Sequence, residues 1–473
     1  MSEASGSETP DARSRGAGWR NRDHTQGSLA SSLFVLALPL VASGVLGGVV
    51  FQIADLSFVS RLGEAPLAAV IIANQTLRQV FFLIAMGLGF ATQSLVSRAV
   101  GAGDLEGAEH IAGQAFALAG LVSLGVAAVG WFFAEPLFAL PGPDPSFAEY
   151  GVPYLRWIYV LNFGVLGTML FSSILGGAGD TTTPLFVQLV QFGVAILAEW
   201  VLIFGHWGAP ELGVRGAAFG IVSGQFAAMA LGMWVLFRGK ARVHLRRRHL
   251  RPDPGAMASI AKIAWLPTLQ MCGGVATSFA FVRLTGSYGE EVQTAFAISL
   301  RVGMILPMVC FPLAGACSTL VGQALGAGDV PRAWRAIGIG LLVHGTLMWS
   351  IAAVILAYRV EILELLSDDP EVIRVGADFL WYAAASFFLF AVYFIVLRSL
   401  QGAGDFGVPM LLTLSNAFVV TIPLGFLLAE RAGYGAEGVA MAQFIGAIFV
   451  TVTTSAWLLT GRWTRGRAHS ARP

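Results

Sequence analysis

A chain of 473 residues with 56% hydrophobic and only 12% charged residues cannot clothe a soluble surface, since an ordinary soluble protein carries about 25% charge. The formal net charge of +1 leaves no basic excess for gripping nucleic acid, and the apolar content excludes a disordered chain. What remains is a polytopic membrane protein.

Twelve apolar runs are long enough to cross a bilayer, near 31–58, 66–96, 111–134, 152–175, 184–204, 214–237, 257–282, 293–322, 337–357, 376–399, 408–428 and 437–460. Residues 1–30 are polar and read as a disordered tail, and 461–473 as a second tail. The first apolar run is too long for a signal peptide and lacks a cleavage pattern. With the N-terminus inside, the tails, the 97–110, 176–183, 324–336 and 400–408 turns and the 238–256 linker hold 18 of the 29 Lys and Arg, against seven in the opposite loops. That bias predicts both termini in the cytoplasm, with the protein in the plasma (inner) membrane. The linker sequence RGKARVHLRRRHLR (238–251) reads as a cytoplasmic anchor against anionic lipid headgroups. Cys272, Cys310 and Cys317 lie in apolar stretches and read as small buried hydrophobes, with no disulfide framework and no metal spacing.

The chain repeats itself. GAGD occurs at 101–104 and 326–329, and at 177–180 and 402–405, each copy 225 residues after its partner, and Pro184 and Pro409 share the offset. This predicts an all-α fold of twelve transmembrane helices in two six-helix lobes related by a pseudo-twofold axis along the membrane normal, an N-lobe over 31–237 and a C-lobe over 257–460. The glycines of GAGD suit a tight exit from a helix, and its Asp is expected to cap the next one.

Of the 28 acids only Asp55, Glu199 and Asp378 fall inside spans, and Asp378 lies close to a span edge. Asp55 is 16 residues past Pro39 and Glu199 is 15 past Pro184. Both therefore sit roughly 23 Å along their helices, at one depth. Carboxylates in hydrocarbon are costly and normally face a bundle interior or a wet cavity. With the first helix of each half aligned on Leu38–Pro39 and Leu266–Pro267, and the fifth on the offset of 225, their counterparts in the second half are Arg283 and Leu424, so the pair occurs once. One reading is a fixed partnership, for example with Arg78; the other is an ion site. Two neighbouring carboxylates in low dielectric cannot both ionise cheaply, so a pair of this kind is suited to carrying a proton, with Na⁺ as the alternative ion. Gln52, Asn162, Ser172, Gln188 and Gln225 are candidate polar linings or interhelical glue. Arg78 and Arg301 are paired by the repeat and read as structural; His344 reads as a packed bundle residue. Pro39 predicts a bent first helix that couples Asp55 to cavity shape.

The stretches LALPL (36–40), ADLSFVSRLGEAPLAA (54–69), GLGFATQSLVSRAVGAGD (87–104), LGGAGDTTTP (175–184) and GVRGAAFG (213–220), with signatures repeated at 313–329 and 400–409, resemble the multidrug and toxic compound extrusion transporters. The resemblance spans about residues 31–460. It implies export of amphipathic organic cations in exchange for H⁺ or Na⁺, by alternating access of two lobes. Asp55 matches the first-helix Asp of the branch with an N-lobe ion site, and Glu199 stands where that branch usually has an Asp. The family's neutral ligands are replaced by Ala195, Ser172 and Ile221, which favours protons over Na⁺; the seventh-helix Glu of another branch is absent near Gly274. Phe51, Phe163 and Phe192 would suit greasy cargo. The alternative within the same superfamily is a flippase for lipid or lipid-linked sugar, disfavoured by the few intramembrane basic residues. No HExxH, Asp-rich pair, P-loop or nucleophile elbow suggests an enzyme. The expected partners are H⁺ or Na⁺, small organic substrates and membrane lipid; no cofactor, no resident metal and a monomeric state are expected.

Overall fold

The computed structural model describes residues 28–74, 78–139, 145–239, 241–303 and 305–465. The tail expected over 1–30 falls outside it except for its last three residues. Residues 466–473 and the side chains of Arg78, Pro307 and Cys310 also lie outside the described residues.

Among these residues there are helices and no strands. The first pass is α1 (Leu29–Val45), a π-helical turn (Leu46–Phe51) and α2 (Gln52–Ser60). The second is α3 (Glu64–Ile72) with α4 (Arg78–Gly101), and the third is α5 (Leu105–Ala139). The fourth is α6 (Ala148–Val160) with α7 (Phe163–Ala178), bent by 49° between them. The fifth and sixth are α8 (Thr182–Phe204) and α9 (Val214–Phe237). The second lobe runs through α10 (Pro254–Gly286), α11 (Glu290–Gly303) with α12 (Ile305–Gly326), α13 (Val330–Ala357) with the short α14 (Arg359–Glu364), and α15 (Pro370–Gly402). Its eleventh pass strings α16 (Gly407–Ser415) and α17 (Ile422–Phe426) together with π-helical turns, and α18 (Gly435–Leu459) closes the fold.

These make twelve passes in two lobes of six. Among the described residues eight helical segments, the eleventh pass taken as one of them, are long and apolar enough to cross a bilayer, and the bent fourth pass makes a ninth. The first pass is split by its π turn, and the middle of α10 is diluted by Thr268, Gln270, Gly273 and Gly274. Large apolar side chains point outward, Leu38, Phe132 and Val419 each more than 70% exposed, as a lipid-facing surface requires.

All four GAGD turns have one geometry. The second glycine of each (Gly103, Gly179, Gly328, Gly404) has φ between +76° and +93°. The Asp N–H that follows donates to the carbonyl five residues back, at Ala99, Leu175, Ala324 and Leu400. This is a Schellman-type helix stop, and the left-handed position is why glycine stands there. Asp104, Asp180 and Asp329 cap the next helix as expected, accepting from Gly107 N, Thr183 N and Arg332 N. Asp405 does not; its carboxylate accepts from Trp457 Nε1 on α18 at 2.7 Å, and α16 starts without a side-chain cap.

The pseudo-twofold is visible in single hydrogen bonds. Ser94 Oγ on α4 donates to Gln401 O on α15 (2.7 Å), and Thr319 Oγ1 on α12 donates to Gly176 O on α7 (3.0 Å). Donor and acceptor of the second bond are each related to those of the first by the repeat offset of 225. Gly101 abuts the backbone of Gln323, and Gly326 abuts the backbone of Arg98, so the lobes touch main chain to main chain at the GAGD end. The start of α1 crosses this seam: Leu29, Leu33 and Leu36 pack with Leu313, Cys317 and Leu320 of α12.

Pro39 does not break the first pass. It is absorbed within α1, and the irregularity falls later, in the π turn at Leu46–Phe51. A π turn inserts one extra residue and re-aims whatever follows it.

Candidate functional site

Glu199 owes its position to the two ends of α8. At the start, the Asp180 carboxylate accepts from Thr182 N (3.1 Å), Thr183 N (3.0 Å) and Thr183 Oγ1 (2.6 Å), which pins the helix entry. Further along, α8 lies against a glycine stripe on α9. Gly216, Gly220 and Gly224, four residues apart, meet Leu202, Glu199 and Ala195 in turn. Such spacing lets two helices approach closely. The Glu199 side chain lies directly over Gly220, where a β-carbon would collide with its Cγ. The result is a carboxylate with no solvent exposure. Among the described residues, neither of its oxygens has a hydrogen-bond donor.

Asp55 lies in the first turn of α2, directly after the π turn, and is 6% exposed. Helix α2 packs against α8 and α9, which brings the Asp55 carboxylate within electrostatic range of Glu199. Ahead of the pair, Phe51 and Phe192 stack with centroids 5.3 Å apart. Gly47, in the π turn, leaves the space that the Phe192 ring fills. Two acids in one buried region have the chemistry to share one small cation. A buried carboxylate lacking donors is otherwise a net cost.

The other candidate residues separate by place. Gln52 is exposed, one turn before Asp55, and Gln188 is half-buried on α8. Asn162 lies at the bend of the fourth pass, where its Nδ2 donates to Ser123 O (3.0 Å) and Tyr159 O (2.5 Å), while its buried Oδ1 has no partner among the described residues. Gln225 packs over Gly164 of α7. Ser172 is half-buried and its Oγ has no partner among the described residues. Phe163 packs into the apolar core of the first lobe. His344 is buried with Nδ1 2.8 Å from Ala391 O, and Arg301 is exposed at the end of α11. The Arg78 partnership lies outside the described residues.

Two clusters have no counterpart in the sequence reading. The first is a buried polar chain at the seam, Gln93, Arg398, Gln401, Gln270 and Thr413, linked in that order by hydrogen bonds of 2.6–3.2 Å. Its members come from α4, α15, α10 and α16, so no sequence spacing could have gathered them. The second clamps the basic linker to α5. His249, 2% exposed, lies between Glu106 (3.1 Å) and Glu109 (3.8 Å), Gln114 Nε2 donates to His249 O and Arg251 O, and His110 meets Asp253 at 3.2 Å. Val243 and Leu245 are fully buried beneath it. Alternation of apolar residues in VHL (243–245) was the one available signal. Glu106, Glu109 and His249 offer three ligand atoms within 4.8 Å, but Arg248 already binds the second oxygen of Glu106, and the group is satisfied as an ion-pair clamp. A surface hollow of about 300 Å³ between Leu62, Glu149, Leu212 and Arg215 includes neither membrane acid.

Comparison with known proteins matches a family model described as MatE twice, over residues 41–201 and 268–427, one copy in each lobe. Among similar proteins is the probable multidrug resistance protein NorM of Thermotoga maritima, 23% identical over 92% of this chain and 94% of that one. The probable multidrug resistance protein NorM of Deinococcus radiodurans is 29% identical over 86% of this chain and 90% of its own. A solved structure described as MATE in the bent conformation superposes with a TM-score of 0.85 at 20% identity, covering 95% of this chain and 97% of the other.

Proposed function

The chain belongs to the MatE family, the multidrug and toxic compound extrusion transporters, and from that premise we propose that it exports amphipathic organic cations in exchange for protons. Members of the family are transporters rather than enzymes, and this one is an integral membrane protein. In the proposed cycle the two lobes rock about their seam, exposing the space between them to one side and then to the other. Both termini and the basic linker face the cytoplasm in this reading, with the protein in the inner membrane; the skewed distribution of Lys and Arg supports that orientation.

One observation carries the coupling proposal: Glu199 is fully buried beside Asp55, with neither oxygen receiving a hydrogen bond from the described residues. A proton on Glu199 removes the cost of that burial. Losing it creates a charge that the site can neutralise with a cationic substrate or a second proton. The two cargoes thereby compete for the same charge, which is the essence of exchange. Protons rather than Na⁺ are proposed because Na⁺ needs several oxygen ligands, while Ala195 and Ile221 contribute apolar side chains to this region. Ala195 is packed on Gly224 and has no oxygen to offer.

The test is efflux from proteoliposomes driven by an imposed pH gradient, with and without Na⁺, using a fluorescent organic cation. Asp55→Asn and Glu199→Gln are expected to abolish gradient-driven transport while leaving the elution profile in detergent unchanged. Transport by both variants at the parental rate would overturn the proposal. Transport that requires a Na⁺ gradient would replace protons with Na⁺ at the same residues.

A further inference from the structure

The buried cation at the seam has a consequence for how the lobes part. Arg398 on α15 is 2% exposed, and among the described residues it has no carboxylate at ion-pair distance. Its charge is served by neutral groups only. Nη1 donates to Gln401 Oε1 at 2.6 Å within its own helix. Nη2 donates to Gln93 Oε1 at 2.7 Å, and the guanidinium carbon lies 3.8 Å from the Phe90 ring centroid. Both Gln93 and Phe90 belong to α4 of the opposite lobe. Gln93 is itself held from its other end, since Nε2 donates to Thr319 Oγ1 (3.0 Å) and Gly315 O (3.3 Å) of α12. The repeat supplies a control: the N-lobe residue matching Arg398 is Ser173, and the C-lobe residue matching Gln93 is Ser318. The Ser94 and Thr319 bonds occur twice across the seam, whereas the buried cation occurs once.

We propose that Arg398 is a positioning residue for opening of the GAGD end: its guanidinium, shut away from water at the seam and held there by Gln93 of the opposite lobe, raises the energy of the closed state and poises it to open. The inference rests on the alternating-access reading. Its physical basis is an asymmetry in how buried charges respond to substitution. Removing one partner of a buried charged contact is strongly destabilising, whereas replacing both partners by apolar side chains of similar size is often neutral or stabilising. When the lobes part, α4 withdraws Gln93 and Phe90 and the guanidinium gains water in exchange. Two variants at one contact therefore push the lobes in opposite directions. Gln93→Leu leaves the cation buried and favours opening; Arg398→Met combined with Gln93→Leu removes the cation together with its acceptor across the seam and favours closure. Simple glue between the lobes would loosen in both cases.

Nitroxide labels at Ala102→Cys and Ala327→Cys, both exposed and one on a GAGD turn of each lobe, report the opening. Cys272, Cys310 and Cys317 are changed to Ser in the same chain, and distances are read by double electron–electron resonance in liposomes. The ratio of long to short distance is expected to rise about threefold in Gln93→Leu and to fall about threefold in the Gln93→Leu, Arg398→Met double variant, with Arg398→Lys within about twofold of the parent. If the double variant does not elute as a single species, Gln93→Leu combined with Arg398→Leu is read with the same expected sign. Shifts of both variants in one direction, or no shift in either, would overturn the proposal while leaving the antiport reading intact. A parent chain with one distance under every pH gradient and substrate condition would overturn the antiport reading itself, and this inference with it.

Discussion

At the scale of single residues, the cost of burying charge separates site from scaffold. Asp55 and Glu199 stand out in the sequence because carboxylates are scarce inside membrane spans, and the pair falls at a shared contact of α2, α8 and α9. Arg398 lies at the end of an apolar run, and its meaning lies in Gln93, some 300 residues away in the chain. Asp253 is the simplest titrating case, outside the membrane at the start of α10. Hydrogen bonding from Ala256 N, then from His110 and Gly255 N, holds its carboxyl below the usual value of 3.8. A depressed folded value means that the stabilisation is present above the unfolded value and is lost as pH falls through the folded one. The cap that Asp253 places on the start of α10 is therefore expected to stay formed from neutral pH down to the ordinary aspartate range and to loosen only below it. Amide hydrogen exchange at Gly255 and Ala256 checks this, and Asp253→Ala should give fast exchange there already at neutral pH.

At the scale of elements, glycine spacing decides how near one helix comes to the next. The stripe Gly216, Gly220 and Gly224 was written in the sequence, but its partner helix was not. The same residues could have faced lipid. They face α8, and Gly220 makes the space in which Glu199 lies. Gly220→Ala is expected to lower stability by about 1–3 kcal/mol through overpacking, and to impair transport by displacing Glu199. Gly193→Ala on α8 is the control, because a β-carbon there meets nothing within 4 Å. In that exposed helical position alanine is expected to be neutral or stabilising. Thermal unfolding of the two variants in detergent separates the outcomes by sign. The π turn ahead of Asp55 belongs to this scale as well. Proline in the sequence pointed to a kink at Pro39, yet the helix absorbs the ring and yields later, where Gly47 admits the Phe192 ring.

At the scale of the molecule, the two lobes meet by main-chain contact and paired hydrogen bonds gathered at the GAGD end. The first helix adds a strap. Leu33 is 1% exposed and packs among residues of the opposite lobe. Leu33→Ala is expected to cost about 2–5 kcal/mol, the range for truncating a buried leucine. Because this contact spans the seam, the loss should appear as greater protease sensitivity at the 238–256 linker as well as a lower unfolding temperature. Limited proteolysis alongside thermal unfolding measures both.

The sequence alone determined that the chain spans a membrane, that it is a duplicated set of six helices, and that two acids in one half are out of place. Each follows from quantities local in the chain: apolar run length, a fixed repeat offset, and the cost of charge in hydrocarbon. The GAGD stops were likewise legible, because a left-handed residue selects glycine wherever it occurs. Tertiary structure alone decided which residues surround Glu199, that Asn162 lies at a bend, that the basic linker is clamped by His249 to α5, and that Arg398 finds its partner across the seam. Those are contacts between helices far apart in sequence. Helical periodicity says which face a residue occupies, but only packing says what that face meets.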